Sequence, residues 1–191
     1  SSSKGCSELI TSSFRNSYFN PKNYNDHGVG LATVRAGNVI GGGDWAADRL
    51  IPDILKAFSE SRTVDIRAPL AIRPWQHVLE PLSGYLAVAE KLYVIGGDFS
   101  EPWNFGPLDA DVQPVHKIVA TLAEYWADNA HWVINQDKHP HEARYLKLDC
   151  SKAKLKLNWL PIWNLDTSLR KIVDWHKAWL DNVDMQEYTL A

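Results

Sequence analysis

The sequence lacks the features that mark membrane, nucleic-acid-binding and disulfide-stabilised proteins. Its longest apolar runs, at residues 86–89 and 93–95, are far shorter than the roughly 20 apolar residues of a membrane helix. The formal net charge is only −3, so the composition indicates no basic face for nucleic acid. The two cysteines, Cys6 and Cys150, favour a reducing cytoplasm over a disulfide framework. No signal peptide is recognised, so we expect a cytoplasmic protein with no membrane and no nucleic-acid partner.

The composition is instead that of a globular protein. Hydrophobic residues make up 45% of the 191 residues and charged residues 23%, which is enough apolar material for a sizeable core. Nine tryptophans are many for this length. We expect packing to account for most of them, and some are candidates for lining a ligand pocket.

Helical and strand-like patterns mix along the chain, which predicts an α/β fold. The predicted strands are residues 31–35, 63–66, 72–78, 103–105, 131–134 and 145–148. The predicted helices are residues 3–19, 49–58, 81–95, 115–126, 151–157 and a last helix that ends near residue 180. Ser151 is expected to cap the helix at 151–157, and Asp166 or Thr167 the last helix. Residues 183–191 are expected to be a tail.

The first residues carry a candidate catalytic lysine. Lys4 follows Ser2 and Ser3, and a small residue, an acidic residue and an apolar helical pattern come next. A lysine in such a place is usually only solvated. The segment, however, resembles the second half of the Tyr-x-x-x-Lys motif of short-chain dehydrogenases. In that motif both side chains share one helical face, and the Lys holds the nicotinamide ribose of NAD and lowers the pKa of the Tyr.

The resemblance places the catalytic Tyr one position before Ser1. The Gly-rich NAD-binding loop of the family would also lie upstream. We therefore expect this chain to be the C-terminal portion of such an enzyme, and to have no turnover by itself.

A second segment, residues 35–45, follows a predicted strand. Its three glycines by themselves indicate only a flexible turn, and the absence of Gly-Lys-Ser/Thr excludes a P-loop. Its Arg-x-x-Asn-x-x-Gly pattern is similar to that of extended short-chain dehydrogenases, in which the Asn, here Asn38, donates an amide to the substrate diphosphate. The resemblance implies that Val39 contacts the cofactor, and that Arg49 and Leu50 lie near the nucleotide.

A third segment is the most specific. Arg73 begins the run Arg-Pro-Trp-Gln-His-Val, where the family has an Arg-Asp-Trp strand whose Arg pairs with the diphosphate. An arginine fork matches phosphate oxygens bidentately, although an arginine in a surface ion pair is the commoner case for so short a pattern. Pro74 departs from the usual Asp, and this version resembles the branch of the family that acts on CDP-glucose. His77 is expected to be structural.

The remaining motifs lie downstream. Asn104, in Trp-Asn-Phe-Gly-Pro, is similar to a further diphosphate contact of the family, and His141 and Arg144 are similar to residues that close on the nucleotide. His139 and His141, with Asp149 and Cys150 nearby, also allow a zinc site. No further ligand has a recognised spacing, so we expect no metal.

The order of these motifs along the chain carries the resemblance to extended short-chain dehydrogenases. It implies that residues 1–40 end a Rossmann-type NAD-binding domain and that residues 41–182 form mainly a small mixed α/β sugar-nucleotide-binding portion, with possible returns to the Rossmann part. It also implies a lyase that uses bound NAD to dehydrate CDP-glucose to CDP-4-keto-6-deoxyglucose, and a homodimer when full length. This product would serve bacterial surface polysaccharide.

Two alternatives remain open from the sequence. One is another extended dehydrogenase, such as an epimerase or a dehydratase of dTDP- or GDP-sugars, which the choice of nucleotide would distinguish. The other is a non-catalytic sugar-nucleotide-binding module. A Tyr encoded directly before Ser1 is required by the enzyme hypothesis and not by the module.

Overall fold

The computed structural model describes residues 2–127, 129–135 and 145–191. Helices and strands mix along this part of the chain, as predicted. The α-helices are α1 Ser2–Tyr18, α2 Tyr24–His27, α3 Leu50–Ser59, α4 Leu79–Val94, α5 Val115–Trp126, α6 Ser151–Leu157, α7 Leu165–Leu180 and α8 Met185–Leu190. The strands are β1 Thr33–Ala36, β2 Asn38–Ile40, β3 Val64–Ile66, β4 Ile72–His77, β5 Pro102–Phe105, β6 Val112–Pro114 and β7 Trp132–Ile134.

The chain divides into two compact units, each built from separate stretches. Unit 1 consists of Ser1–Ala36, Leu79–Gly106 and Leu148–Leu160. Unit 2 consists of Gly37–Val78, Pro107–Lys147 and Pro161–Ala191.

Unit 1 is built on the parallel pair β1 and β5. The strands pair in register from Thr33 opposite Pro102 to Ala36 opposite Phe105. Helix α4 packs closely on β5 because Gly84 has no side chain: a Cβ there would lie 2.2 Å from Cδ1 of Phe105. Five buried residues form the core of this unit: Val88, Trp103, Phe105, Ala153 and Trp159.

Polar contacts connect the outer elements of unit 1. Glu8 of α1 accepts a hydrogen bond from Thr33 at 2.9 Å and pairs with Arg35 at 3.2 Å. Glu101 accepts hydrogen bonds of 2.7 Å from both Lys152 and Lys156 of α6. Burial raises the pKa of Glu101, but these two ammonium groups outweigh burial and hold the pKa below its ordinary value.

Unit 2 has a sheet in the order β2-β4-β6, in which β2 and β4 are parallel and β4 and β6 are antiparallel. Strands β3 and β7 form a separate parallel pair. Helices α3, α5 and α7 bury apolar faces that merge in one core. That core includes Ile54, Phe58, Ile66, Ile118, Leu122, Leu169, Ile172 and Val173.

Several local predictions were wrong. Residues 145–148 form no strand, and only Tyr145 makes an isolated bridge, to Ile72. Helix α7 begins at Leu165, and its cap is Asn164, whose side chain accepts from the Thr167 amide at 2.8 Å.

Two further differences concern the C-terminal part of the chain. Ser151 is the first residue of α6 and not its cap, which is Cys150. The Asp149 carboxylate accepts the Ser151 amide at 2.9 Å. Residues 183–191, expected as a tail, contain α8, whose first amides are bound by the Asp184 carboxylate. Within the described part of the chain, no helix combines the length and apolarity of a membrane span.

Candidate functional site

Neighbouring strands of unit 2 hold three of the predicted site residues. Asn38 begins β2 and pairs in register with Trp75 of β4, and Val39 pairs with Gln76. Arg73 lies on the same strand β4, two positions before Trp75, and all of these strands belong to one sheet. The structure therefore brings Arg73 onto the same sheet as Asn38 and Val39, although it is far from them in sequence.

Arg73 is half-buried in this sheet. It lies opposite Gln113 of β6, and its Nη1 donates to the Ile72 carbonyl at 2.9 Å. A guanidinium ion that loses part of its hydration needs acceptors that match its planar fork.

The buried Trp75 adds a polar group to the same strand. Its exposed fraction is 6%, and its indole N–H has no hydrogen-bond partner among the described residues. A buried donor without a partner costs about 1–3 kcal/mol. The middle of β4 is thus a place where a polar acceptor would stabilise the protein.

Arg49 and Leu50 lie at the start of α3, also in unit 2. Arg49 immediately precedes the helix and is exposed, with its Nη1 3.9 Å from the Asp44 carboxylate. Leu50 is the first helical residue and packs against the unit 2 core. The two residues therefore have different roles: Leu50 packs the start of α3 against the core, and Arg49 presents a positive charge to solvent.

Lys4 and Asn104 lie in unit 1. Lys4 is exposed on α1, and no ion pair of its ammonium group is present among the described residues. Asn104 is on β5, where its Nδ2 donates to the Asp149 carbonyl at 3.0 Å and its Oδ1 is buried without a partner among the described residues. That amide therefore holds the segment before α6 against β5.

Some of the remaining predicted residues lie outside the part of the chain that the structure describes. His141 and Arg144 lie outside the described residues, as does His139 of the zinc alternative. His77 is buried at the end of β4, and its ring lies 4.8 Å from that of Trp163, a packing contact of the kind expected for a structural histidine.

An aromatic cluster beside the glycine turn, residues 41–43, was not predicted. The ring of Trp45 lies 4.4 Å from Trp179, 5.4 Å from His176 and 6.2 Å from Trp175, all on α7. Burial lowers the pKa of His176 below its ordinary value, which favours the neutral imidazole among these rings. The high tryptophan content was the available sequence signal, but pairing Trp45 with α7 required the fold.

The fold is shared with solved enzymes of sugar-nucleotide metabolism. A UDP-glucose 4-epimerase of Thermotoga maritima, solved with UDP-glucose, matches with a TM-score of 0.73 at 21% identity, over 93% of this chain and 52% of that one. A dTDP-glucose 4,6-dehydratase of Streptomyces venezuelae, solved with NAD, matches with a TM-score of 0.73 at 20% identity, over 96% and 52%. The architecture is thus that of the Rossmann-type epimerases and dehydratases.

Sequence comparison agrees with the fold, and the chain belongs to the extended short-chain dehydrogenases. It is 62% identical, over 185 residues, to the CDP-glucose 4,6-dehydratase of Salmonella typhimurium, a match that covers 97% of this chain and 52% of that enzyme. It is 27% identical, over 157 residues, to a dTDP-glucose 4,6-dehydratase of Neisseria meningitidis, covering 75% and 42%. The predicted resemblance is confirmed.

The chain spans about half the length of the curated relatives it matches. No family model matches it.

Proposed function

We propose that this chain is the sugar-nucleotide-binding portion, with part of the NAD-binding portion, of a CDP-glucose 4,6-dehydratase. The reaction is the dehydration of CDP-glucose to CDP-4-keto-6-deoxyglucose. The observation that carries the proposal is the 62% identity to the Salmonella enzyme along 97% of the chain. The corresponding value for the dTDP-glucose enzyme of Neisseria meningitidis is 27% over 75% of the chain.

Arg73 and Asn38 are the proposed diphosphate ligands. Supporting this role, the two residues belong to neighbouring strands of one sheet. Arg73 is half-buried on the same strand as Trp75, whose buried indole N–H has no hydrogen-bond partner among the described residues. Charge-assisted bonds from arginine to phosphate are about twice as strong as neutral ones. Arg49 contributes a further positive charge at the start of α3, and Leu50 holds that turn in place.

Asn104, His141 and Arg144 remain proposed substrate ligands on the family resemblance alone. The amide of Asn104 already donates to the Asp149 carbonyl, so its proposed role needs its second amide hydrogen.

NAD is the proposed cofactor, and it supplies the acceptor and donor of hydride in this chemistry. Lys4 and Val39 are the residues of this chain proposed to contact it. Lys4 lies exposed on α1 and carries the positive charge that the role requires. Val39 is half-buried on β2, directly after Asn38, so a substrate and a cofactor contact would follow one another along one strand.

We also propose that the whole protein is a homodimer of the cytoplasm, and that unit 1 is the end of its Rossmann part. The parallel pairing of β1 and β5 in unit 1 supports the last assignment. Helix α1 has no buried residue and exposes Leu9, Ile10 and Phe14, which supports a partner surface. Both cysteines are free thiols, which agrees with a reducing compartment.

Calorimetric titration of the purified chain with CDP-glucose, and with dTDP-glucose for comparison, tests the proposal. We expect CDP-glucose to bind more tightly, and Arg73→Ala to weaken its binding by about tenfold or more. Arg67→Ala is the matched control, since Arg67 is an exposed arginine of the same unit.

Each outcome has a definite meaning. Preference for dTDP-glucose would favour the dTDP branch, in keeping with the Neisseria relative. An equal loss of affinity in Arg67→Ala and Arg73→Ala would show that the loss comes from the change in net charge. Arg73 would then not be a ligand of the diphosphate. Absence of binding to either ligand would contradict the proposal that this chain carries the substrate site.

A further inference from the structure

The glycine turn that follows β2 lies directly against the indole of Trp175. A Cβ at Gly42 would lie 2.3 Å from Cδ2 and 2.4 Å from Cγ of Trp175, distances that real atoms do not adopt. Gly43 has φ +74°, and a Cβ there would still contact the same ring at 3.4 Å. The glycine at position 42 is therefore explained by close approach to a side chain of α7, and no phosphate is needed to explain it.

The orientation of Trp175 is fixed by the C-terminal helix. Its Nε1 donates to Oγ1 of Thr189 at 3.0 Å, and the Thr189 hydroxyl itself donates to the Met185 carbonyl at 2.6 Å. The hydroxyl hydrogen is thus used within α8, which leaves an oxygen lone pair aimed at the indole. Asp184 caps the same helix through the amides of Gln186 and Glu187.

Little free space separates the turn from α7. The cavity between residues 40–44, the start of α3 and the aromatic side of α7 has a volume of about 10 Å³. This volume is about the smallest that holds a single water molecule, so the contact is packed and is not a substrate pocket. A change in the Trp175 ring must therefore move the turn.

The turn is continuous with the proposed ligand-binding strand. Ile40 ends β2, and its carbonyl accepts the amide of Val78 at 2.8 Å. A Cβ at Gly41 would lie only 2.9 Å from Cγ1 of Val78. The turn is thus held by Val78 on one side and by Trp175 on the other, directly after Asn38 and Val39.

We infer that Trp175, oriented by Thr189 of α8, is a positioning residue that sets the glycine turn and thereby the start of β2. Its consequence for ligand binding rests on the proposed function, because Asn38 is a ligand only under that proposal. Trp175 acts through the turn and has no assigned contact with substrate. The C-terminal helix, outside every motif of the sequence, thereby becomes part of the support of the site.

The test uses Thr189→Val, which removes the hydroxyl at nearly constant shape, and Thr189→Ser, which keeps it. Thr63→Val is the matched control, since Thr63 is an exposed threonine of the same unit. Two quantities are measured: the NMR shift of the Gly42 Hα protons, which the Trp175 ring current moves upfield, and the affinity for CDP-glucose.

We expect Thr189→Val to lose part of the upfield shift and to weaken CDP-glucose binding by about threefold to fivefold, the size of one modest hydrogen bond. Thr189→Ser and Thr63→Val should keep both values. Trp175→Phe retains a ring but has no N–H. When Thr189→Val is added to Trp175→Phe, it should have no further effect on the Gly42 shift, since the two changes remove one interaction.

The outcomes separate this inference from the proposed function. An unchanged Gly42 shift in Thr189→Val, or additive effects of the two changes, would overturn the positioning role. If the unmodified chain binds no CDP-glucose, the proposed function fails, while the Gly42 shift still decides whether Thr189 and Trp175 set the turn. A changed shift with unchanged affinity would overturn the link between the turn and the ligand.

Discussion

The two units of this chain bury their apolar residues to very different extents. In unit 2, α3, α5 and α7 each bury at least four residues in a common core around Phe58, Ile118 and Leu169. In unit 1, α1 buries none, although Leu9 and Phe14 are apolar, and the core is formed mainly by the aromatic rings of β5 together with Trp159.

This difference indicates that the apolar residues of the helices have different roles in the two units. The periodic apolar faces of α5 and α7 are satisfied inside unit 2. The apolar residues of α1 are exposed and lie outside the unit 1 core, which is the expected property of a surface that contacts further protein. Unit 1 should accordingly be the less stable of the two.

Truncation of a core ring in each unit gives the largest expected effect. Phe105→Ala removes a fully buried ring that contacts Tyr85 and Trp159 at 5.7 and 4.9 Å. We expect a loss of about 3–5 kcal/mol in the free energy of unfolding, seen as lost hydrogen-exchange protection of unit 1 amides.

The reciprocal change, Phe58→Ala, should remove protection from unit 2. Phe14→Ala, at a residue of unit 1 that is 52% exposed, is the control and should change stability by less than about 0.5 kcal/mol. Equal loss of protection in both units from Phe105→Ala would show that the units unfold together. It would contradict the expectation that unit 1 is the less stable unit.

Adding one methyl group to a glycine distinguishes the units at a finer level. Gly42→Ala in unit 2 places a Cβ 2.3 Å from Trp175, and we expect a loss of about 1–3 kcal/mol by urea denaturation. Gly5→Ala in α1 of unit 1 meets no atom within 4 Å. There we expect a gain of about 0.5–1 kcal/mol, since alanine favours helix. A stabilising Gly42→Ala would mean that the Trp175 contact is absent in solution.

The smallest expected effect is a pH dependence confined to unit 2. Burial lowers the pKa of His176 in the folded protein below the ordinary value of 6.5. Below pH 6.5 the unfolded chain therefore binds more protons than the folded chain, so stability falls as the pH drops from 6.5 towards the folded pKa. Above that window His176 is neutral in both states and has no effect.

Urea denaturation on both sides of pH 6.5 measures this dependence. His176→Phe should reduce the slope of stability against pH in unit 2, whereas His131→Gln, at an exposed histidine of the same unit, should leave it unchanged. A slope that persists in His176→Phe would assign the dependence to another group.

Most of the predicted helices and strands match the structure closely, including short ones such as β3, β5 and α6, and the misses are all short segments. Helix α5 was predicted at its observed bounds, because Pro114 and a clear apolar stripe mark it. Residues 145–148 have an apolar pattern but only one bridge, at Tyr145. Strand β2 was missed, since three residues before a glycine turn carry no period and its pairing with β4 is a long-range contact.

The motifs of the candidate site were visible in the sequence, but their arrangement was not. The fold brings Asn38 and Arg73 to neighbouring strands and puts Lys4 and Asn104 in the other unit. His141 and Arg144 lie outside the described residues, so their roles stay predictions.

The ordered motifs were enough to predict the family and the kinds of residue that could bind a sugar nucleotide, because such motifs retain their chemistry whatever the packing. The reason for a glycine at position 42, and the contacts of Trp175 and Thr189, became visible in the three-dimensional structure. Those properties depend on atoms brought within a few ångströms by contacts between the glycine turn, α7 and α8, and no local pattern of residues encodes such distances.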